Sequence, residues 1–259
     1  MRSAIVLSVL AACCLAGPQR PASAQEGQQA PAPRPSGPVQ QKLVPGMAAY
    51  TDDVLFGDVW IRPELSPRDR SLVTISALIA MGRTAQLEGH LGRALANGVK
   101  PGEATGVLTH LAIYCGWPSA VSALEVYDRV FTARGVDPAI LQAPVSRLPE
   151  AASADGQERD VERQFGAFAP KFAELTNDVV FDDLWRRADL SPRDRSLVTI
   201  AALSAMGDVD QLEPYLKRGR DNGLAREDVA EALTHLAFYA GWAKATKALS
   251  MARAVLGES

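Results

Sequence analysis

The sequence predicts an all-α protein made of two tandem copies of one helical unit, and three observations lead there. The first is an internal repeat. SPRDRSLVTI stands at Ser66–Ile75 and returns at Ser191–Ile200, an offset of 125 residues. Without a gap, the same offset aligns Phe56 with Phe181, Trp60 with Trp185, Met81-Gly82 with Met206-Gly207 and Thr109-His110-Leu111-Ala112 with Thr234-His235-Leu236-Ala237. More than half the positions from Thr51 to Leu124 are identical to their partners. The second is punctuation that suits helices, with Ser-Pro starts and glycine stops. The third is periodicity: Leu72, Ile75, Leu78 and Ile79 recur at helical spacing, and no stretch sustains the alternation of a half-buried strand.

The elements follow in chain order. Residues 1–24 read as an export leader: Arg2, an apolar run from Ala4 to Leu15, and Ala22-Ser23-Ala24 as a cleavage pattern. The apolar run is too short to span a bilayer, which needs about 20 residues. Leu10-Ala11-Ala12-Cys13 is an alternative lipidation signal. The expectation is a periplasmic or secreted protein, with no membrane contact after cleavage. Residues 25–40 are rich in Pro, Ala and Gln and read as a disordered tether. The first copy, 41–140, opens with a helix around Met47 to Trp60. A second helix takes Ser66 as N-cap, Pro67 as first residue and Gly82 as stop. Helices from about Thr84 to Asn97, from Pro101 to Gly116 and from Pro118 to Arg134 complete it. A Pro-, Ala- and Ser-bearing stretch, 141–160, reads as a linker, and the second copy fills 161–259.

Composition narrows the function. With 47% hydrophobic and 22% charged residues the chain can build real cores, which excludes collagen-like, disulfide-scaffold and wholly disordered classes. Loss of the leader leaves 25 basic against 30 acidic side chains, so nothing draws the mature protein to nucleic acid. Cys13 and Cys14 lie in the leader, and Cys115 alone remains, without a disulfide or CxxC partner. One cysteine and the three histidines, His90, His110 and His235, do not suggest a metal site.

RDRSLVTISALIAMGR, then LxxHLxxALxNG, then LTHLAIYCGWP resembles the carboxymuconolactone decarboxylase family, and the second copy keeps the same frame. The resemblance implies helical subunits assembled as trimers or hexameric rings, and a cofactor-free decarboxylation of a small carboxylated lactone. Three chains of two units each would then rebuild a six-unit ring. The wider family includes thiol peroxidases with a CxxC pair. The cysteines would fall at Arg83 and Gln86 and their glutamate at Ser71, so that chemistry is not expected here. A non-catalytic oligomeric or ligand-binding member is the alternative to a decarboxylase.

Decarboxylation of such a lactone needs a cation for carboxylates, donors for the developing oxyanion and an acid to protonate carbon. The resemblance places the family histidine at His90, with Gln86 one turn earlier on the same helical face; family decarboxylases tend to carry glutamate there. Histidine suits the acid role because its ordinary pKa lies near neutrality. Arg70 and Arg68 are candidates for carboxylate binding, although Asp69 and Asp194 could occupy these arginines in ion pairs. Val107, His110, Leu111 and Tyr114 form one helical stripe, so His110 either faces a pocket or satisfies a buried carbonyl, and His235 repeats the question. Trp60 is a core residue or a pocket wall. Cys115 reads as a core residue. The copies differ where chemistry would sit: His90 becomes Tyr215, Gly89 becomes Pro214 and Cys115 becomes Ala240. The expectation is that the first copy holds the site, with Tyr215 the remnant of a second.

Overall fold

The computed structural model describes residues 35–149 and 154–257, and side chains from Asp160 onward in the second stretch. The expected leader and most of the tether lie outside these residues. The described helices run α1 Pro38–Leu43, α2 Pro45–Ala49, α3 Pro67–Ala80, α4 Thr84–Ala96, α5 Pro101–Tyr114, α6 Trp117–Ala133 and α7 Pro138–Gln142. They continue as α8 Ala154–Phe165, α9 Pro170–Leu175, α10 Pro192–Met206, α11 Leu212–Asp221, α12 Arg226–Ala240 and α13 Trp242–Leu256. Among the described residues there is no strand, only an isolated antiparallel bridge between Arg147 and Arg187.

Local chemistry explains where the helices begin and end. Ser66 accepts from the Asp69 backbone N–H at 3.0 Å, and Ser191 from that of Asp194 at 3.1 Å, so both caps form as expected. Gly116 and Gly241 have φ of 84° and 96°, a left-handed turn that lets α5 fold back onto α6 and α12 onto α13. The helix expected over 47–60 is broken. α2 passes into a π-helical stretch at Tyr50–Leu55, and a 3₁₀ turn at Val59–Ile61 then turns Trp60 inward.

α3 and α10 are the centre of the molecule. Each is buried on nearly every face, including Ser71, Thr74 and Ser76 on α3. These hydroxyls survive burial because each donates to a carbonyl one turn back, at 2.8, 2.8 and 2.6 Å. The two helices pack on each other, and the cores cross the repeat boundary. Leu190, Val198 and Ala202 complete the first repeat's core, while Leu65, Val73 and Ala77 complete the second's. At the helix starts, Arg68 pairs with Asp194 at 2.8 Å and Arg193 with Asp69 at 3.0 Å, a crossed arrangement that follows the pseudo-twofold relation. The repeats therefore form one body, because neither buries its central helix alone.

In the segment between the repeats, read as a linker, the described residues 146–148 are tied down. The Leu148 backbone N–H donates to the Arg186 carbonyl, the Ala188 N–H to the Ser146 carbonyl, and Arg147 pairs with Asp183. α8 then lies against α9.

Candidate active site at the repeat interface

The broken helix, α4 and α12 converge on the first of two composite sites. Trp60 stacks with Phe56 at 6.0 Å and with His90 at 6.0 Å, with ring planes 11° and 17° apart. Two rings from the second repeat close the group. His235 meets Trp60 edge-on at 4.9 Å, and Tyr239 meets His90 edge-on at 5.2 Å. Trp60 Nε1 donates to the Tyr239 hydroxyl at 2.9 Å. Arg93, one turn beyond His90 on α4, lays its guanidinium 4.8 Å over Phe56 and 5.2 Å over Trp60, and pairs with no carboxylate among the described residues.

The mirror site uses the same parts from opposite repeats. Trp185 stacks with Tyr215 at 6.1 Å, His110 meets Trp185 edge-on at 5.3 Å, and Trp185 Nε1 donates to the Tyr114 hydroxyl at 2.7 Å. Arg218 lies 4.4 Å over Trp185, as Arg93 lies over Trp60. Each site thus takes its tryptophan and arginine from one repeat and its histidine–tyrosine pair from the other.

This corrects the expectation of a complete site within the first repeat. His90 is served by His235 and Tyr239, while His110 and Tyr114 belong to the site of Tyr215. Gln86 is exposed on α4, where its backbone N–H donates to the Arg83 carbonyl and its side chain is not drawn into the aromatic group. Arg68 is held in ion pairs with Asp194 and Glu103. Arg70 is fully buried behind His235, donating to Glu231 at 2.8 Å and to the Arg62 carbonyl at 2.9 Å, which leaves it a supporting residue. Tyr239, Arg93, Arg218 and Phe56 were not singled out for the site. Their signal was available, since each has an identical partner at the 125-residue offset.

Hydrogen bonding settles His110. Arg195 donates to its Nδ1 at 3.2 Å, and an arginine can only donate, so Nδ1 carries the lone pair and Nε2–H points to Thr199 at 2.7 Å. Thr199 in turn donates to the Arg195 carbonyl, which fixes the tautomer. His235 makes the matching Nε2 contact with Thr74 at 2.8 Å, but its buried Nδ1 has no partner among the described residues. Both rings are fully buried. Burial and the nearby Arg70 hold His235 down at about 3, and burial with Arg195 and Arg218 holds His110 well below its ordinary value.

His90 differs in having access. It is half-buried, and its Nδ1 is buried without a partner among the described residues. Burial, then Arg93, lowers its pKa to about 4, so the free protein holds it as neutral imidazole near pH 7. The expected match to neutrality is not met. Burial pushes the Tyr239 phenol up to about 12 and the Cys115 thiol up to about 12, the latter with help from Asp208. Cys115 is therefore a thiol rather than a thiolate nucleophile. No group of three or more metal-ligating side chains gathers among the described residues.

A helical pair of repeats with two polar, aromatic sites at their shared interface defines the class of protein, and comparison with known proteins places it. The model of the Carboxymuconolactone decarboxylase family matches residues 45–129 and again 170–254, about two thirds of the chain. The chain belongs to this family. A 4-carboxymuconolactone decarboxylase of Acinetobacter baylyi is 39% identical over 83 residues, 32% of this chain and 62% of the relative. A nitrosuccinic acid decarboxylase of Metarhizium robertsii is 37% identical over 85 residues, 33% of this chain and 59% of the relative. An uncharacterized 15.0 kDa protein of Paracoccus denitrificans is 31% identical over 93 residues, 35% of this chain and 69% of the relative. The chain spans about three fifths of the two decarboxylases it matches.

Proposed function

We propose that this protein decarboxylates a small carboxylated substrate, a lactone or a related acid, at the site built by His90, Trp60, Arg93 and Tyr239. The observation that carries the reading is His90: a half-buried imidazole whose buried Nδ1 has no partner among the described residues, beside an arginine that no described carboxylate occupies. Arg93 would hold the substrate carboxylate, its guanidinium fork kept in place by the rings beneath it. The scissile C–C bond breaks, CO₂ departs, and the electron pair delocalises into the unsaturated lactone. A proton must then reach carbon.

His90 supplies that proton once substrate is bound. The incoming carboxylate offsets the charge of Arg93 and raises the pKa of the ring toward neutrality, so binding is accompanied by proton uptake. The pH profile tests this with a definite sign. The free protein's His90 titrates near 4. kcat/KM, which reports the free protein, should therefore fall as pH rises above about 4, whereas kcat should hold to a higher pH. A kcat/KM flat from pH 5 to 9 would assign the proton to the Tyr239 phenol. No loss of γ-carboxymuconolactone absorbance with the purified protein or with related carboxylated lactones would leave a ligand-binding member of the family.

The same reading includes export, as the leader suggests, and association of three chains into a six-unit ring. Exposed Ile113, Trp117, Val121 and Leu124, spaced along α5 and α6, supply an apolar face for such contacts. N-terminal sequencing and light scattering test these points; an intact Met1 or a clean monomer at micromolar concentration would remove them.

A further inference from the structure

Next to Tyr114 and Tyr215 lies a cavity of about 580 Å³. Ile113, Val161, Phe165, Phe172, Val180 and Phe181 give it apolar, partly aromatic walls, interrupted by Gln164, Thr176 and Gln211. α8, from the segment between the repeats, forms one side of it, so this wall exists only because that segment is folded down.

We propose that this second composite site binds an uncharged, flat ring compound bearing a carbonyl or ether oxygen, a ligand distinct in charge from the carboxylated substrate of the first site. Donor accounting identifies the polar contact. The Tyr114 oxygen receives a hydrogen bond from Trp185, and the Tyr114 phenol pairs with that of Tyr215. With Tyr114 giving its own proton to the Tyr215 oxygen, the Tyr215 O–H is left to donate into the cavity. Burial keeps Tyr215 protonated by pushing its pKa up. The Tyr215 donor beside aromatic walls, with the Gln164 and Gln211 amides also in the lining, suits a planar ring carrying a neutral oxygen acceptor.

Charge excludes the anion. Asp160 and Asp208, both exposed, line the cavity rim, and among the described residues no arginine or lysine lines it, Arg218 being buried over Trp185. The repeat makes the contrast specific, because the counterpart of Asp208 in the first repeat is Arg83 and that of Tyr215 is His90. At these two positions the first repeat carries a cation and an imidazole where the second carries a carboxylate and a phenol; the arginine common to both sites is exposed as Arg93 in the first and buried over Trp185 as Arg218 in the second. A carboxylate brought beside Asp208 would be repelled, and a neutral ring would not.

Calorimetric titration with phthalide, a neutral planar lactone, and with phthalide-3-carboxylate tests the assignment on the full chain. Phthalide should bind saturably, and Tyr215→Phe should weaken it about five- to tenfold, the effect of one lost hydrogen bond. His90→Gln should leave phthalide binding unchanged, which separates this test from the fate of the first site. Val180→Phe, which fills the cavity from a half-buried wall position, should abolish binding. Phthalide-3-carboxylate should fail to displace phthalide from the parent and should do so in Asp208→Arg. Absence of saturable phthalide binding, insensitivity to both Tyr215→Phe and Val180→Phe, or equal displacement by the carboxylated probe in the parent would overturn the proposal.

Discussion

The two composite sites share a frame and diverge at the residues that face a ligand. Phe56 and Phe181, Trp60 and Trp185, Arg93 and Arg218, and Thr74 and Thr199 are identical pairs, and each tryptophan donates to a tyrosine of the other repeat. Against this constancy, His90 and Tyr215 stand at the same place in α4 and α11. The difference shows how a duplicated unit can keep its packing while one copy changes chemistry: a shared interface constrains the frame of both sites, and neither can discard it without exposing α3 or α10.

The buried arginines carry the same lesson. Arg70 and Arg195 occupy equivalent positions, each fully buried, yet their carboxylate partners come from different places. Arg70 pairs with Glu231 of α12 at 2.8 Å, and Arg195 with Asp189, just before α10, at 2.8 Å. The counterpart of Glu231 is Gly106, and a Cβ there would meet the Asp189 Cγ at 3.1 Å. Glycine at one position makes room for the carboxylate supplied by the other, so the charge is compensated twice by different means.

Several substitutions would break or sharpen the comparison. The largest effect is expected at His90. His90→Gln should lower turnover on the order of 10²- to 10⁴-fold, the scale of general acid catalysis, while Tyr215→Phe costs severalfold at most. Steady-state assays of both variants check this, and similar losses would mean that the sites are equivalent. Next, Glu231→Ala should destabilise the fold by about 3–5 kcal/mol, because it strands the buried Arg70 charge. Denaturant unfolding measures that figure, and Glu64→Ala, at the Asp189-equivalent position on the exposed side, should stay within about 0.5 kcal/mol.

Acid should then weaken the fold through its buried rings. His90 and His235 have folded-state values of about 4 and about 3, below the ordinary 6.5, so the unfolded chain binds more protons between those limits. Stability is full above about pH 6.5 and declines as pH falls toward 4. The decline should be on the order of 2 kcal/mol per histidine from pH 6.5 to 5. Thermal melts across that range in the parent and in His90→Gln give the His90 share, and identical slopes would contradict its burial. The smallest effect is expected from Tyr215→His. It should create no second activity, because Asp208 still stands where the first repeat has Arg83, and turnover per chain should match the parent.

The sequence by itself determined the all-α class, the duplication and the starts and stops of the main helices, because these rest on periodicity, caps and an exact textual repeat that need no distant contact. It also singled out His90 and the exchange for Tyr215. What only the tertiary structure decided is which residues meet. His90 lies 145 positions from His235 and 149 from Tyr239, and nothing local to α4 indicates that its partners come from the other repeat. The central helices impose that exchange: α3 and α10 are too apolar to face water, so they bury each other, and their packing carries the histidine stripe of each repeat across to the other's tryptophan. Burial decided the electrostatics as well. It moved His90 to about 4, and it placed Arg70 and Arg68, which spacing alone could not separate from ligand-binding arginines, in ion pairs within the protein.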